Sequence, residues 1–292
     1  MKRVVITGAG GYLASVLRMY NEDHITFLPI TRREIDFSKP ETVYPYLSDL
    51  DFDVLIHTAA NAVTEFCASH PDLAHKINTE AAIEAARAAN DKHARFIFLS
   101  TEQVFNGRTD QGPFTEADEP VCVTDYGKQK IEVEQWLSAN SSDYVILRLS
   151  SMFGMPMPRL KLSSNFLMRT WTALRTKTPA KFTPNEQRGM TYSMTLADHL
   201  DQIMELPTGI YHVSSKNDRT TYDLCRYIAK ELGYSDADIE QYILPDPERY
   251  ADRFRDYRLD ASKLKSCGID CGTMEEDLAR CLKDFGWKIS EP

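Results

Sequence analysis

Apolar residues in the first half of the chain fall into short continuous runs, and the segments between them have helical spacing. The runs predict buried strands over residues 2–7, 24–30, 53–57, 95–100 and 144–149. The intervening segments predict helices over residues 12–20, 43–50, 71–90 and 126–139. Because strands that alternate with helices form a parallel sheet covered on both faces, the pattern predicts a doubly wound α/β fold.

The alternation weakens after Gly154, where four prolines predict loops: Pro156, Pro158, Pro179 and Pro184. A further apolar run at residues 209–214 predicts a strand that returns to the sheet, and residues 220–232 and 274–285 predict amphipathic helices. We therefore expect a first domain over residues 1–151, completed by the strand near 209–214. A smaller C-terminal α/β region is expected over residues 152–292.

Composition and charge exclude several classes of protein. With 42% hydrophobic residues, the chain can bury a sizeable core, yet no apolar run approaches the roughly 18 residues that a membrane span needs. The apolar run after Met1 is too short for a signal sequence, so we expect a cytoplasmic protein. The net charge of −9 argues against a general nucleic-acid surface. The scattered cysteines predict neither a disulfide framework nor a metal site.

A glycine-rich segment, TGAGGYLA at residues 7–14, lies between the first predicted strand and the first predicted helix. Gly8 permits a tight turn, Gly11 lets the backbone approach a pyrophosphate at the positive end of the helix, and Ala14 is small enough for close packing. An ordinary tight turn is the alternative interpretation. The succession of strand, turn and helix favours a Rossmann-type dinucleotide-binding site.

The residues after the second predicted strand bear on which dinucleotide is bound. An acidic residue there would hold the ribose hydroxyls of NAD(H), but Thr31, Arg32 and Arg33 occupy this place. Because an arginine can accommodate a 2′-phosphate, the sequence favours NADP(H) over NAD(H). The alternative is that both arginines are solvated surface charges.

Tyr126 and Lys130 lie four residues apart at the start of a predicted helix and hence on one face of it. A phenol is a poor acid near neutral pH, and an adjacent ammonium group is expected to lower its pKa. Thr101 follows the fourth predicted strand, at the edge where open α/β sheets build their sites. A tyrosine and a lysine at this spacing also occur on solvated helices, so their meaning depends on the glycine-rich segment.

Together, the glycine-rich segment, Thr101 and the YxxxK motif resemble the extended short-chain dehydrogenase/reductase superfamily. Within it, STEQVFNG at residues 100–107 resembles the STDxVFDG segment of the dTDP-4-dehydrorhamnose reductase branch. Further similarity to that branch is found at Asp36, residues 57–60, Asn78, residues 147–154, residues 165–166, residues 253–260 and residues 263–264. The resemblance implies that residues 1–151 bind a dinucleotide and that residues 152–292 mainly bind substrate.

The resemblance implies a reductase that passes hydride from NADP(H) to C4 of a nucleotide-linked 4-keto sugar. Tyr126 would donate the proton, Thr101 would orient the carbonyl, and Lys130 would hold the nicotinamide ribose and lower the pKa of Tyr126. The implied cofactor-binding residues are Gly8, Gly10, Gly11, Tyr12, Leu13, Arg32, Asp36, Phe37, Ala59, Ala60, Asn78, Tyr126 and Lys130. The implied substrate-binding residues are Glu102, Val104, Ser151, Asn165 and Arg253.

Several positions depart from the pattern of the branch. Ser151 replaces a tryptophan that would cover the sugar, so a large apolar wall of the substrate pocket is lost. Glu102 replaces an aspartate, and Phe254 replaces a proline. Met190 stands where the branch usually has proline. These departures concern the substrate rather than the cofactor.

Two other functions stay open. One is a nucleotide-sugar epimerase or dehydratase that retains its cofactor, which an acidic Glu102 beside Thr101 would suit. The other is a non-catalytic, cofactor-binding regulatory subunit, which would not need Thr101, Tyr126 and Lys130 to be intact. The expected partners are a small-molecule substrate, in particular a nucleotide sugar, and a second copy of the chain in a homodimer. We expect no nucleic acid, membrane or metal partner.

Overall fold

A parallel sheet lies at the centre of the computed structural model, which describes residues 1–157, 160 and 165–287. The strands of the described residues are β1 (Arg3–Thr7), β2 (Thr26–Ile30), β3 (Val54–His57), β4 (Arg95–Thr101), β5 (Tyr144–Leu149), β6 (Ser151–Phe153), β7 (Ala180–Phe182), β8 (Glu186–Gln187), β9 (Met190–Tyr192), β10 (Gly209–Val213), β11 (Ile243–Pro245) and β12 (Arg255–Asp256). Six of them form the central sheet in the spatial order β2-β1-β3-β4-β5-β10, and all neighbours are parallel. The predicted Rossmann-type sheet with its returning strand is confirmed.

The carboxyl end of β1 is the point at which the sheet changes direction. β1 lies between β2 and β3, so the chain crosses from one side of β1 to the other after β2. Thr7, the last residue of β1, is level with Ile30 on one side and His57 on the other. Open α/β sheets bind ligands outside the carboxyl ends of their strands at such a point. The glycine-rich segment follows Thr7 and therefore lies there.

Helices cover both faces of the sheet. They are α1 (Tyr12–Met19), α2 (Val43–Ser48), α3 (Thr64–Ser69), α4 (Pro71–His75), α5 (Ala81–Asp91), α6 (Asp125–Asn140), α7 (Phe166–Thr176), α8 (Ser193–Asp198), α9 (Leu200–Met204), α10 (Thr221–Glu231), α11 (Asp236–Tyr242), α12 (Ser262–Ser266) and α13 (Met274–Asp284). Side chains alternate along a strand, so Val5 packs with α2, α5 and α6 on one face. Val4 and Ile6 pack with α1, α8, α9 and α13 on the other face.

The predicted helix over residues 71–90 is present and contains a π-helical turn. It consists of α4, a π-helical turn at Lys76–Glu80, and α5, and His70 separates α4 from the unpredicted α3. Within the π turn, Asn78 donates to the Gln129 side chain at 2.8 Å, and Thr79 donates to the Gln129 carbonyl oxygen at 3.2 Å. The predicted helix is confirmed, and the π turn within it was not predicted because it departs from the regular helical spacing that a sequence pattern detects.

The C-terminal region consists of short strand pairs and helices attached to this sheet. Parallel pairs form between β6 and β9, between β7 and β11, and between β8 and β12. The helices predicted over residues 220–232 and 274–285 are present as α10 and α13. The loop predicted around Pro158 lies outside the described residues. The division of the chain at residue 151 stays a prediction. No helix among the described residues is long and apolar enough to cross a membrane.

Candidate active site

The segment between β1 and α1 is a tight turn with open space at its tip. Gly8 has φ +63°, and a Cβ atom there would lie 2.8 Å from the backbone nitrogen of Ala59. Glycine is therefore needed at this position both for its backbone conformation and for the close approach. The Gly11 N–H donates to the Gly8 carbonyl oxygen at 2.8 Å, and nothing lies within 4 Å of a Cβ atom placed on Gly10.

α1 begins directly after this turn, with Gly11 as its N-cap and no side-chain cap hydrogen bond there. The first backbone N–H groups of a helix point outward without intrahelical partners and carry partial positive charge. Tyr12 and Leu13 contribute two of these groups. The Tyr12 hydroxyl donates to the Met155 carbonyl oxygen at 3.0 Å, so the turn is joined to the segment that follows β6.

The loop after β2 borders the same edge of the sheet. Arg32 is exposed, and the preceding Thr31 donates from both its N–H and its hydroxyl to the Glu34 carboxylate. Asp36 is also exposed and accepts hydrogen bonds from the N–H and hydroxyl of Ser38. Phe37, in contrast, is buried against the ring of His57, with 5.8 Å between ring centroids. Arg32 and Asp36 are thus accessible from solvent, whereas Phe37 belongs to the core.

Thr101, Tyr126 and Lys130 are brought to the carboxyl edge of the sheet by β4 and α6. Thr101 is the last residue of β4, and Tyr126 lies in the first turn of α6. That turn packs closely on the residues after β4: a Cβ atom on Gly127 would lie 2.9 Å from the Gln103 carbonyl oxygen. The glycine of the YGKQK sequence therefore lets the start of α6 approach the end of β4.

Lys130 is buried on α6 and is attached to β4. Its Nζ atom donates to the Leu99 carbonyl oxygen at 2.8 Å and lies 4.4 Å from the centre of the Phe98 ring. Burial lowers the pKa of Lys130 to about 8, partly opposed by the Glu134 carboxylate one turn along α6. Near neutral pH the group is mostly an ammonium ion. It can therefore donate hydrogen bonds to a further acceptor.

Tyr126 is buried, with 7% of its surface exposed. Burial raises the pKa of its phenol above the usual value, and the charges of Glu102 and Cys67 raise it further. Lys130 Nζ lies 5.8 Å from the centre of the Tyr126 ring, but burial of the phenol is the larger effect on its pKa. The expectation that Lys130 lowers the pKa of Tyr126 is wrong for this arrangement, because loss of hydration outweighs the ammonium charge. The phenol is therefore held in its protonated form.

A buried cluster of charges adjoins Thr101, and sequence analysis missed two of its three members. Glu102 accepts a hydrogen bond from Arg188 at 2.9 Å, and Arg188 is also paired with Glu186. Arg188 lies in the C-terminal region, between β8 and β9, so the pair connects that region to the end of β4. Burial raises the pKa of the Glu102 carboxyl to about 7, although the Arg188 charge opposes the shift. No sequence signal links residues 86 positions apart.

Asn78 organises the loop between β3 and α3. Its side chain accepts from the Asn61 N–H at 2.7 Å and donates to the Asn61 carbonyl oxygen at 3.0 Å. Through Gln129 it also reaches α6. In the same loop Ala59 is buried next to Gly8 and Ala60 is exposed. Asn78 thus fixes the loop that borders the glycine turn.

The remaining implied substrate residues have different surroundings. Val104 has no exposed surface and packs with Phe105 and Phe114 in an apolar cluster. Arg253 donates to the Arg108 carbonyl oxygen at 2.7 Å, in the loop that follows Glu102. Ser151 is half-buried in β6, and the Asn165 side chain caps the start of α7. Their contacts with substrate stay predictions, and Val104 as placed contributes to packing rather than to an open surface.

A dinucleotide fits the turn and helix described above. The space at Gly10 and the uncapped start of α1 suit a pyrophosphate, and Ala59 lies against Gly8 beside it. Lys130, with one hydrogen bond to the protein among the described residues, retains N–H groups for a ribose. In the part of the chain that the structure describes, no group of His, Cys, Asp or Glu side chains is arranged to hold a metal ion.

Comparison with known proteins agrees with this geometry. A family profile described as the RmlD substrate binding domain matches residues 1–286. The chain belongs to this family. It lies in the dTDP-4-dehydrorhamnose reductase-like branch of the extended short-chain dehydrogenase/reductase superfamily, as its motifs indicate. It is accordingly an oxidoreductase-type protein, similar to sugar-nucleotide reductases and epimerases.

Individual relatives span nearly the whole chain. It is 30% identical to the probable low-salt glycan biosynthesis reductase Agl14 of Haloferax volcanii, over 94% of this chain and 95% of that protein. It is 27% identical to methionine adenosyltransferase 2 subunit beta of Bos taurus, over 98% of this chain and 90% of that protein. A crystal structure of dTDP-4-dehydrorhamnose reductase from Yersinia enterocolitica has a TM-score of 0.86 at 21% identity, covering 98% of this chain and all of that chain (100%).

A second solved structure supports the same fold. It is the dTDP-4-dehydrorhamnose reductase of Bacillus anthracis in complex with NADP, with a TM-score of 0.82 at 23% identity, covering 97% of this chain and 98% of that chain. A third structure is a UDP-glucose 4-epimerase of Thermotoga maritima, with a TM-score of 0.81 at 18% identity. The match covers 97% of this chain and 98% of that chain. At such identities the likeness concerns the fold. Reductases and epimerases share it, so the reaction has to be argued from the site.

Proposed function

We propose that the protein is an NADP(H)-dependent reductase of a nucleotide-linked 4-keto sugar. The observation that carries this proposal is the placement of Thr101, Tyr126 and Lys130 at the carboxyl edge of the sheet that also bears the glycine turn. The family membership and the similarity to a reductase of glycan biosynthesis support the same reading. A buried phenol that stays protonated suits a proton donor, which a reductase needs when a carbonyl becomes an alcohol.

Each catalytic side chain has a separate task in this proposal. The cofactor, when bound, supplies hydride to the carbonyl carbon. Thr101 orients the carbonyl oxygen by a hydrogen bond, and Tyr126 gives its phenolic proton to the oxygen as negative charge develops there. Lys130 binds the ribose and places positive charge near that oxygen. Gly8, Gly10 and Gly11 hold the pyrophosphate with the start of α1.

The experiment that tests the proposal is NADPH oxidation by the purified full chain with a panel of nucleotide-linked 4-keto sugars. Stoichiometric loss of NADPH with formation of the alcohol is expected for at least one member. An epimerase or dehydratase would convert its substrate without net loss of cofactor. If no member of the panel oxidised NADPH, the reductase proposal would fail.

A regulatory subunit is the second candidate function. The observation in its favour is the similarity to methionine adenosyltransferase 2 subunit beta, which extends over 98% of this chain. Such a protein would bind the dinucleotide without turning it over. Binding of NADPH together with no conversion of any sugar nucleotide would favour this candidate. The complete set of Thr101, Tyr126 and Lys130 weighs against it.

We predict that the protein binds NADPH more tightly than NADH. Arg32 is exposed beside the glycine turn, and a guanidinium group there can pair with the 2′-phosphate. Replacing Arg32 and Arg33 together by alanine should remove the preference, which we expect to be on the order of tenfold. Fluorescence titration with both cofactors measures it. Arg87→Ala, an exposed arginine of α5, is the matched control, and equal affinities in the unmodified protein would contradict the assignment.

We also predict that the sugar pocket differs from that of dTDP-4-dehydrorhamnose reductases. Ser151 lacks the apolar wall that a tryptophan supplies, so a bulkier or differently placed sugar should be accepted. Ser151→Trp should narrow the range of substrates in the panel, whereas Ser142→Trp on the surface should not. If dTDP-4-dehydrorhamnose were the best substrate by a wide margin, this interpretation of Ser151 would be wrong.

A further inference from the structure

The position of Tyr126 depends on where α6 begins. Thr124 is the N-cap of that helix: its hydroxyl oxygen accepts from the Gly127 N–H at 3.4 Å, and its carbonyl oxygen accepts from the Lys128 N–H at 3.0 Å. Tyr126 lies in the turn that these two bonds close. A group that fixes Thr124 therefore also fixes the backbone that carries the phenol.

The side chain of Asn106 is such a group. It donates from Nδ2 to the Thr124 hydroxyl oxygen at 2.8 Å, and its Oδ1 atom accepts from the Val123 N–H at 2.8 Å. Because a backbone N–H can only donate, the second bond fixes which end of the amide faces which partner. Only 7% of the surface of Asn106 is exposed, so the loss of its partners would leave buried polar groups unsatisfied.

The segment that carries Asn106 is held by two further contacts. The Gly107 N–H donates to the Val121 carbonyl oxygen at 2.8 Å, and a Cβ atom on Gly107 would lie 2.9 Å from that oxygen. From the C-terminal region, Arg253 donates to the Arg108 carbonyl oxygen at 2.7 Å and to the Asn106 carbonyl oxygen at 3.4 Å. The backbone at Asn106 is therefore fixed, and its side chain is a firm support for the start of α6.

A separate contact holds α6 one turn further along. Lys130 is joined to β4 through the Leu99 carbonyl oxygen at 2.8 Å, and this bond does not involve the N-cap of the helix. Loss of the Asn106 bonds should therefore displace the phenol of Tyr126, while the ammonium group assigned to the ribose stays in place. A displacement of about 1 Å at a reacting group can lower a rate by about 10².

We propose that Asn106 is a positioning residue of the active site, which holds the start of α6 so that the Tyr126 hydroxyl lies beside the carbonyl oxygen of the substrate. Asn106 acts through Tyr126 and not by contact with the cofactor. The mechanism described above assigns no task to this side chain. This inference rests on the proposed reductase function.

Asn106→Leu tests the inference, because leucine keeps the approximate size of the side chain and removes both hydrogen bonds. With the best keto sugar, kcat should fall by about 10–10²-fold, while KM and the Kd of NADPH should stay within about threefold. Asn106→Asp should keep most of the activity, because a carboxylate can accept from both the Val123 N–H and the Thr124 hydroxyl. An unchanged kcat in Asn106→Leu, or an equal loss of NADPH affinity, would overturn the inference.

Asn21→Leu is the matched control. Asn21 is also buried, and its side chain joins α1 to α8 by donating to the Leu17 and Ala197 carbonyl oxygens. This variant should lose thermal stability, as Asn106→Leu does, but should keep its kcat. Thr124→Val removes the Asn106 bond from the other side and should reproduce the loss of kcat even if Asn106→Leu fails to fold. Thr124→Ser keeps the hydroxyl and should stay active.

A double variant separates positioning of the phenol from other effects on the rate. In a Tyr126→Phe background, Asn106→Leu should lower the single-turnover rate by less than about threefold further, because the hydroxyl that it positions is already gone. An undiminished loss in this background would show that Asn106 acts on something other than Tyr126, and the inference would be overturned.

Hydrogen exchange followed by NMR gives a readout that needs no turnover. In Asn106→Leu the N–H groups of Val123, Gly127 and Lys128 should exchange faster by about tenfold or more, and those of residues 131–140 should not. A uniform increase along α6, or no increase at its start, would contradict the inference. Failure of the reductase proposal looks different: the unmodified protein would oxidise NADPH with no keto sugar, while exchange would still decide whether Asn106 holds α6.

Discussion

Tyr126→Phe is expected to lower kcat and kcat/KM together by ~10²–10⁴-fold while NADPH binding stays nearly unchanged. The phenolic proton is needed only as the alkoxide forms, so its loss should affect the transition state and not the bound ground state. The ring itself is retained, and it packs with Cys67 and Ala74 in a small buried cluster. Steady-state reduction of the best keto sugar and NADPH titration, each on both proteins, measure the two quantities.

Lys130→Ala is the informative contrast. Its ammonium group is assigned to the ribose, and it also joins α6 to β4 through the Leu99 carbonyl oxygen. This variant should therefore lose cofactor affinity as well as rate. Near-normal activity of Tyr126→Phe would remove the tyrosine from the mechanism, and the regulatory-subunit candidate would then become the better account of the chain.

The parallel central sheet could be predicted from local patterns because its strands are continuous apolar runs between helical segments. The glycine turn could also be predicted from the sequence. The position of Gly8 requires glycine because of its own φ of +63° and its immediate contacts. The structure of the C-terminal region was harder to predict from the sequence. Strands as short as β8 and β12, with two residues each, have no periodicity to detect, and pairing with distant segments stabilises them.

In the candidate site, too, local sequence patterns predicted some features, while others depend on contacts between distant segments. The positions of Thr101, Tyr126 and Lys130 could be inferred from spacing within single elements. The electrostatics could not, because burial of Tyr126 and the approach of Glu102 come from the tertiary fold. Arg188 was missed for this reason: its partner Glu102 lies in another part of the chain, and nothing in the residues around Arg188 indicates the pairing.

Arg148→Met is expected to destabilise the fold by about 3–5 kcal/mol, because it leaves a buried carboxylate without its partner. Arg148 of β5 binds Glu134 of α6 through Nη2 at 2.6 Å and through Nε, and both side chains are nearly inaccessible. The Ser100 hydroxyl also donates to Glu134. Since Glu134 follows Lys130 by one turn of α6, this pair fixes the catalytic helix on the sheet. Unfolding by urea, followed by circular dichroism, measures the loss.

His212 of β10 explains why the guanidinium group is held so firmly. Its Nδ1 atom lies 3.0 Å from the Phe114 carbonyl oxygen, which assigns the ring proton to Nδ1. Nε2 then accepts from Arg148 at 3.4 Å. Burial and the Arg148 charge lower the pKa of His212 to about 3, so the imidazole ring is neutral near neutral pH. Replacing Arg148 therefore also leaves His212 Nε2 without this hydrogen-bond donor.

The double variant separates the ion pair from simple packing. Adding Glu134→Leu to Arg148→Met removes the uncompensated charge, so much of the lost stability should return, as is found when buried pairs are replaced by apolar residues. Lys265→Met, which breaks the solvent-exposed pair with Asp270, is the control and should leave the unfolding midpoint nearly unchanged. If Arg148→Met lowered the stability as little as the control does, the ion pair would not be what holds α6 on the sheet. The positions of Tyr126 and Lys130 would then depend on packing alone.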